Sequence, residues 1–277
     1  MPDQTGAARR QAETYHLTPE EIDRYHHDGY LVLREVFRDE ELHGIDRWFD
    51  HFVAGKEPDM GRDFCDMSQP YGTPFEKWQL VNAMLPSHYR PELANNIFHR
   101  LSQNIADQLY RDGRAQLDYE QFLAKRPRQE RAEFAMHQDL GYWPKIDPTW
   151  TATFSLALTD SALENGCLQV VPGSNREAEL RRHRPKDADA GSTSRDDSHT
   201  LVIDRKPTDT VVHLPVRRGD VTIHDERIVH GSGGNTSDRW RKTYVAAYRD
   251  AETVRRERAM GFTHSHNDTV DWSGIVK

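Results

Sequence analysis

The chain has 277 residues, with 37 Lys and Arg against 45 Asp and Glu, a formal net charge of −8, and 36% hydrophobic residues. That length can bury a large core in one big domain or two small ones, and the acidic balance argues against a nucleic-acid or anionic-membrane partner while leaving room for a local basic pocket. No apolar run approaches the roughly 18 residues of a membrane helix, the N-terminal stretch has no apolar signal region, and Cys65 and Cys167 form neither a disulfide framework nor a Cys-x-x-Cys metal pattern, which together read as a cytoplasmic protein with free thiols.

In chain order, residues 1–16 read as a loose tail, 17–112 as a mostly helical part and 113–250 as a β-rich core, the whole forming one domain. In LTPEEIDRYHHDGYLVLREVF, Thr18 can cap a helix, Pro19 suits its first turn, Glu20 and Glu21 suit its positive end, and Gly29 stops it before a strand. Leu42, Ile45, Trp48, Phe49 and Phe52 recur at spacings of three and four, which predicts an amphipathic helix. A further helical region spans about Pro91 to Tyr110. Beyond about residue 115 the texture changes to short strand-like runs such as AEFAMHQDL, WTATFSLALTD, CLQVVPGS, DVTIHD and KTYVAAYR, punctuated by Gly, Pro, Asn and Asp. The expected fold is mainly β with flanking helices, a β-sandwich or jelly roll. Residues 181–200 read as a mobile polar loop and a potential lid, and their basic start, RRHRPK, reads as a solvated charge run in preference to a phosphate contact.

His-x-Asp or its Glu variant occurs at His26–Asp28, His137–Asp139, His224–Glu226 and His266–Asp268. The tripeptide alone therefore discriminates little in a chain with 15 His. His26 and Asp28 sit at a helix end, where residues two apart diverge. His266–Asp268 has no downstream histidine to complete it. His137 and Asp139 fall at the end of a strand, where residues i and i+2 share a face. Two His and one carboxylate on one face of a metal, with other positions open, is the donor set of non-haem Fe(II) oxygenases. A third ligand can come from His224, mid-strand, or from His230, 91 positions after Asp139 and next to GSGG. An oxygenase that takes 2-oxoglutarate also needs a buried cation for the distal carboxylate, a task suited to the guanidinium fork. Arg239 and Arg241 both lie after His230 and share a face by period two, so pattern does not choose between them.

Four blocks, LTPEEIDRYHHDGYLVLREVF, HQDLGYWP, ENGCLQVVPGS and GDVTIHDERIVHGSGGNTSDRWRK, together resemble the phytanoyl-CoA dioxygenase family of Fe(II)/2-oxoglutarate-dependent oxygenases, over about residues 17–250. The resemblance implies a double-stranded β-helix core, cupin-like, with Fe(II), 2-oxoglutarate and O2 as reactants beside a small-molecule substrate, and succinate and CO2 as co-products. It implies His137, Asp139 and His230 as iron ligands, Arg241 as the partner of the distal carboxylate, and Ser232 as a hydroxyl near it. Gln138 and Ser155 match positions that touch the co-substrate in relatives. The carboxylate at Asp139 sets the chain apart from halogenating relatives, which carry a small residue there. Gly166 and Gly173 read as turn residues, and Tyr142 and Trp143 as substrate wall or core. The expected chemistry is hydroxylation of an unactivated C–H bond of a small natural product. Acyl-CoA hydroxylation, a cupin-type metal enzyme without oxygen chemistry and a silent binding protein are the alternatives.

Overall fold

The computed structural model describes residues 9–110, 113–144, 146–147, 149–186 and 200–270. Its first strands are β1 (Arg10–Gln11), β2 (Thr14–Tyr15), β3 (Tyr30–Leu33), β4 (Phe64–Asp66), β5 (Leu80–Met84), β6 (Ala115–Lys125), β7 (Phe134–His137) and β8 (Thr151–Ala157). There follow β9 (Leu168–Val171), β10 (His183–Pro185), β11 (Leu201–Ile203), β12 (Val212–Leu214), β13 (Val221–Asp225), β14 (Val229–Ser232) and β15 (Arg241–Asp250). Two antiparallel sheets form the jelly roll, a seven-stranded one in the order β3-β13-β8-β15-β6-β5-β4 and a four-stranded one in the order β12-β9-β14-β7.

The sequence grammar explains the helices that back the larger sheet. Thr18 accepts from the Glu21 backbone N–H while the Glu21 carboxylate accepts from that of Thr18, so the helix Pro19–Asp28 opens on a reciprocal cap. Gly29 closes it at φ 84°, a left-handed conformation that glycine adopts without a Cβ penalty. The helices Asp39–Val53 and Ile97–Leu109 bury Leu42, Ile45, Phe49, Phe52, Phe98, Leu101 and Ile105 against Phe122, Phe154, Leu156, Tyr244 and Tyr248 of the sheet. Each such side chain contributes about 1.5–3 kcal/mol on burial. Because β6, β8, β13 and β15 give one face to this core, period two turns their other face toward the smaller sheet. That inner face is polar yet buried, carrying Thr153, Thr222, His224 and Thr243.

Two expectations need correction. The tail was expected to be loose through residue 16, but from residue 9 it is docked. β1 pairs with β2, Arg10 meets Glu41 at 2.5 and 2.6 Å, and Tyr15 is fully buried, its backbone N–H bonded to Asn104. A buried aromatic ring and a two-pronged ion pair give this segment enough contact to offset its ordering. Residues 1–8 lie outside the described residues. Of the expected loop at 181–200, residues 187–199 also lie outside them, but its flanks are a ribbon in which β10 pairs with β11. In the basic run that opens it, Arg181 bonds Glu177 and Asp209, Arg184 meets Asp204 at 3.2 Å and Lys186 meets Glu133 at 3.5 Å, while Arg182 and Arg184 are exposed, in keeping with a solvated run. Both cysteines are free and buried, as expected. Among the described residues no helix is long and apolar enough to cross a membrane.

Candidate active site

β7 and β14 are neighbours in the smaller sheet, with His137 directly opposite His230. Asp139 follows at the turn after β7, and the ring centroids of His137 and His230 lie 4.3 Å apart. Asp139 Oδ1 is 3.4 Å from Nε2 of both rings. The opposite ring nitrogens face backbone carbonyls, His137 Nδ1 at 2.7 Å from Ala135 O and His230 Nδ1 at 3.0 Å from Ile228 O. A carbonyl only accepts, so each Nδ1 carries a proton and Nε2 is the ring atom turned toward Asp139. Burial, and then the neighbouring His230, hold the His137 ring below its usual imidazole range. For Asp139, burial would raise the carboxyl, but His230, His137 and His224 outweigh it and hold it well below the usual range. Two imidazole Nε2 atoms and a carboxylate oxygen thus converge on one point, a donor set suited to a cation. His137, Asp139 and His230 fit Fe(II), and the NH···O=C bonds supply the outer support that metal-bound histidines need.

His224 also reaches this cluster, but at the other oxygen. Its Nε2 is 3.3 Å from Asp139 Oδ2, which Thr153 Oγ1 approaches at 3.4 Å. Both candidates for the third histidine therefore surround Asp139, and His224 and Thr153 orient the carboxylate from behind. His26 bonds Leu109 O, and His27 pairs with Asp28 at the surface, so that decoy is helix-end structure.

Position separates the two arginines. Arg239 precedes β15, is 65% exposed and pairs with Glu164 at 2.7 Å. Arg241 opens β15 on the inner face, where it shares a small cavity with Ser155, Ser161, Thr222 and Thr243 and donates to Ser161 Oγ at 3.1 Å. Burial lowers its guanidinium to about 10. Sequence reasoning missed a second basic residue beside Arg241. Lys125, at the end of β6, is directly opposite Arg241, buried, and donates to Ser232 Oγ at 2.7 Å and to Gly233 O. Among the described residues neither Lys125 nor Arg241 has an acidic partner. Strand alternation carried the signal, because Tyr119, Gln121, Leu123 and Lys125 share one face of β6.

From Arg241 the inner face leads back to the histidines in register. Thr222, Ser155 and Val245 form one row across β13, β8 and β15, and His224, Thr153 and Ala247 form the next. Gln138 is not brought to this face. Its amide donates to Arg227 O at 2.6 Å and accepts from Arg181 N–H at 2.8 Å, so it fastens the turn that holds Asp139. On the open side a cavity of about 250 Å³ is walled by His137 and Asp139 together with Tyr119, Phe134, Tyr142, Trp143 and Phe262. Tyr142 and Trp143 thus line it, and Trp143 also packs with Tyr119 and Leu140.

The profile of the family described as Phytanoyl-CoA dioxygenase (PhyH) matches residues 25–243. The chain belongs to the phytanoyl-CoA dioxygenase family. As a member it is an Fe(II)/2-oxoglutarate-dependent dioxygenase that consumes O2. It is 25% identical over 260 residues to the phytanoyl-CoA dioxygenase of Arabidopsis thaliana, covering 82% of this chain and 87% of that one. Among solved structures it resembles the carbocyclase SnoK from nogalamycin biosynthesis, with a TM-score of 0.65 and 27% identity over 85% of either chain. It shares its fold with EvdO2 from Micromonospora carbonacea var. aurantiaca, with a TM-score of 0.69 and 24% identity over 85% of this chain and 92% of that one.

Proposed function

We propose that this phytanoyl-CoA dioxygenase family member hydroxylates an unactivated C–H bond of a small natural product, with His137, Asp139 and His230 holding Fe(II). The observation that carries the reading is the convergence of two histidine Nε2 atoms on one Asp139 oxygen at 3.4 Å. Bound there, iron supplies oxygen activation coupled to decarboxylation of 2-oxoglutarate. The chain's own residues bind and orient. Arg241 and Lys125 take the distal carboxylate, Ser232 and Ser161 hold the two cations in place, and Ser155 and Thr222 line the path between that end and the metal ligands. His224 and Thr153 fix the Asp139 carboxylate, so that one oxygen faces the metal. The aromatic walls around His137 exclude water and present the substrate's C–H bond.

Two observations favour a compact natural product over an acyl-CoA thioester. Among the described residues the wall of the open cavity contains one arginine, Arg62, and the run at 181–186 spends Arg181, Arg184 and Lys186 on ion pairs within the protein. A phosphate-rich cofactor handle needs cations that are not already paired. The similarity to SnoK supports the natural-product reading.

The test is an anaerobic titration of metal-free protein with Fe(II) and then 2-oxoglutarate. We expect the weak visible charge-transfer band of an iron–keto-acid chelate in the wild type and its loss in His137→Ala. Folded, iron-loaded wild type without the band would refute the ligand assignment.

A further inference from the structure

The family match ends at residue 243, yet the open cavity is closed by a segment beyond it. After the helix Ala251–Ala259, residues Phe262, His264, Ser265, His266 and Asp268 line the cavity that also contains His137 and Asp139. His264 is the most constrained of them. It adopts φ 68°, a left-handed conformation that a residue with a Cβ holds only when its surroundings enforce it. Its Nε2 lies 2.7 Å from Asp118 Oδ2. Its ring stacks on Tyr119 with centroids 4.4 Å apart and meets Trp143 edge-on at 5.5 Å. Both aromatic residues line the same cavity.

The surroundings fix the tautomer. Arg249 meets Asp118 at 3.1 Å and Glu257 at 2.7 Å, and Arg258 meets Asp118 at 2.6 Å. Burial would raise the Asp118 carboxyl, but His264, Arg249 and Arg258 outweigh it, so Asp118 is an ionised acceptor toward which His264 Nε2 directs a proton. Asp118, Glu257 and His264 are spaced like a metal site, but Arg249 and Arg258 already pair with the two acids. The other nitrogen, Nδ1, has no hydrogen-bond partner among the described residues and is not a sealed buried atom. It is the ring nitrogen left for a ligand, on a residue that lines the cavity.

We infer that His264 is a specificity-determining residue whose Nδ1 accepts a hydrogen bond from a hydroxyl of the substrate, which is therefore a hydroxylated cyclic molecule with an apolar face for Tyr119 and Trp143. The inference rests on the proposed function, because it takes the open cavity to be the substrate site. A purely apolar substrate would leave this acceptor unpaired, and a site built around a hydrogen bond rejects the analogue that lacks the donor.

The experiment uses the full chain loaded with Zn(II), a diamagnetic stand-in for iron, and 2-oxoglutarate, with nitrogen-15 in the histidine rings. The probes are cyclohexanol, which donates a hydrogen bond, and methoxycyclohexane, which only accepts. The His264 Nδ1 resonance is assigned by its absence from the His264→Gln protein. We expect cyclohexanol to shift Nδ1 and the ether to leave it in place. In His264→Phe we expect cyclohexanol affinity to fall about tenfold, to that of the ether. Equal shifts with both probes, or none with either, overturn the inference, and the wild-type spectrum decides this even if the Phe variant fails to fold. Calorimetry of 2-oxoglutarate on the same sample separates the two levels. Co-substrate binding with an unresponsive Nδ1 removes His264 alone, whereas no co-substrate binding removes the site reading and this inference with it.

Discussion

At the scale of single residues, alternation decides who belongs to the site. His137 and Asp139 were legible because a strand end puts i and i+2 on one side. The same rule excludes Gln138, which must point to the other side, where it bonds Arg227 O and Arg181 N–H. Arg239 and Arg241 were not separable by period, because only the structure shows that β15 begins at Arg241. Lys125 went unread because its partner in register lies 116 positions away, and a lysine closing an apolar run looks like a solvated strand end. One prediction belongs here. Arg241→Ala should weaken 2-oxoglutarate binding by roughly 2–5 kcal/mol, the effect of removing one partner from a buried charge pair, and should leave Fe(II) affinity unchanged. Arg239→Ala, at an exposed pair, should shift 2-oxoglutarate binding by well under about 1 kcal/mol. Calorimetric titration of both variants checks the contrast, and an equal loss in both would deny Arg241 its role.

At the scale of elements, the capped helix at Pro19 and the strands of the core were readable from caps, punctuation and period. β4 and β5 were not. β4 is three residues long, and all five residues of β5 are buried, so neither shows alternation. The turn glycines were legible, and one of them ties two loops together. Gly166 has φ 74°, and a Cβ there would lie 2.0 Å from Gly233 O, in the loop that follows Ser232. Gly166→Ala must therefore strain its own backbone and displace the carbonyl that accepts from Lys125. We expect a stability loss of more than about 1 kcal/mol in denaturant unfolding, with weakened 2-oxoglutarate binding in the protein that remains folded. A variant as stable as the wild type would show that the loop yields freely.

At the scale of the whole molecule, the site is a junction of two sheets. His137 and His230 come from the smaller sheet, and His224, Thr153, Arg241 and Lys125 from the larger one. Neither sheet holds the site alone, which is why short local patterns pointed to its parts and only the four blocks together pointed to the whole. The helix-backed face of the larger sheet also holds an acid at a cost. Burial, with the charge of Glu226 next, pushes the Asp225 carboxyl up to about 7 from an ordinary 3.8. The folded state then binds this proton more tightly than the unfolded chain does, so the ionised form destabilises the fold above pH 7. That cost lifts as pH falls through 7 toward 3.8. Asp225→Asn should be more stable than the wild type at alkaline pH, with the difference closing on acidification. Thermal melts of both proteins across that window test the sign.

Lys125 and Arg241 face each other across two strands, and desolvation, with Arg241 next, pushes the Lys125 ammonium well below its ordinary range. An incoming carboxylate reverses that balance, so co-substrate capture should draw a proton from solution. The apparent heat of 2-oxoglutarate binding should then vary with the ionisation enthalpy of the buffer, and that dependence should vanish in Lys125→Met. Co-substrate affinity in this protein would then be a proton-linked quantity, rising as the medium becomes more acidic even though the ligand itself stays a dianion.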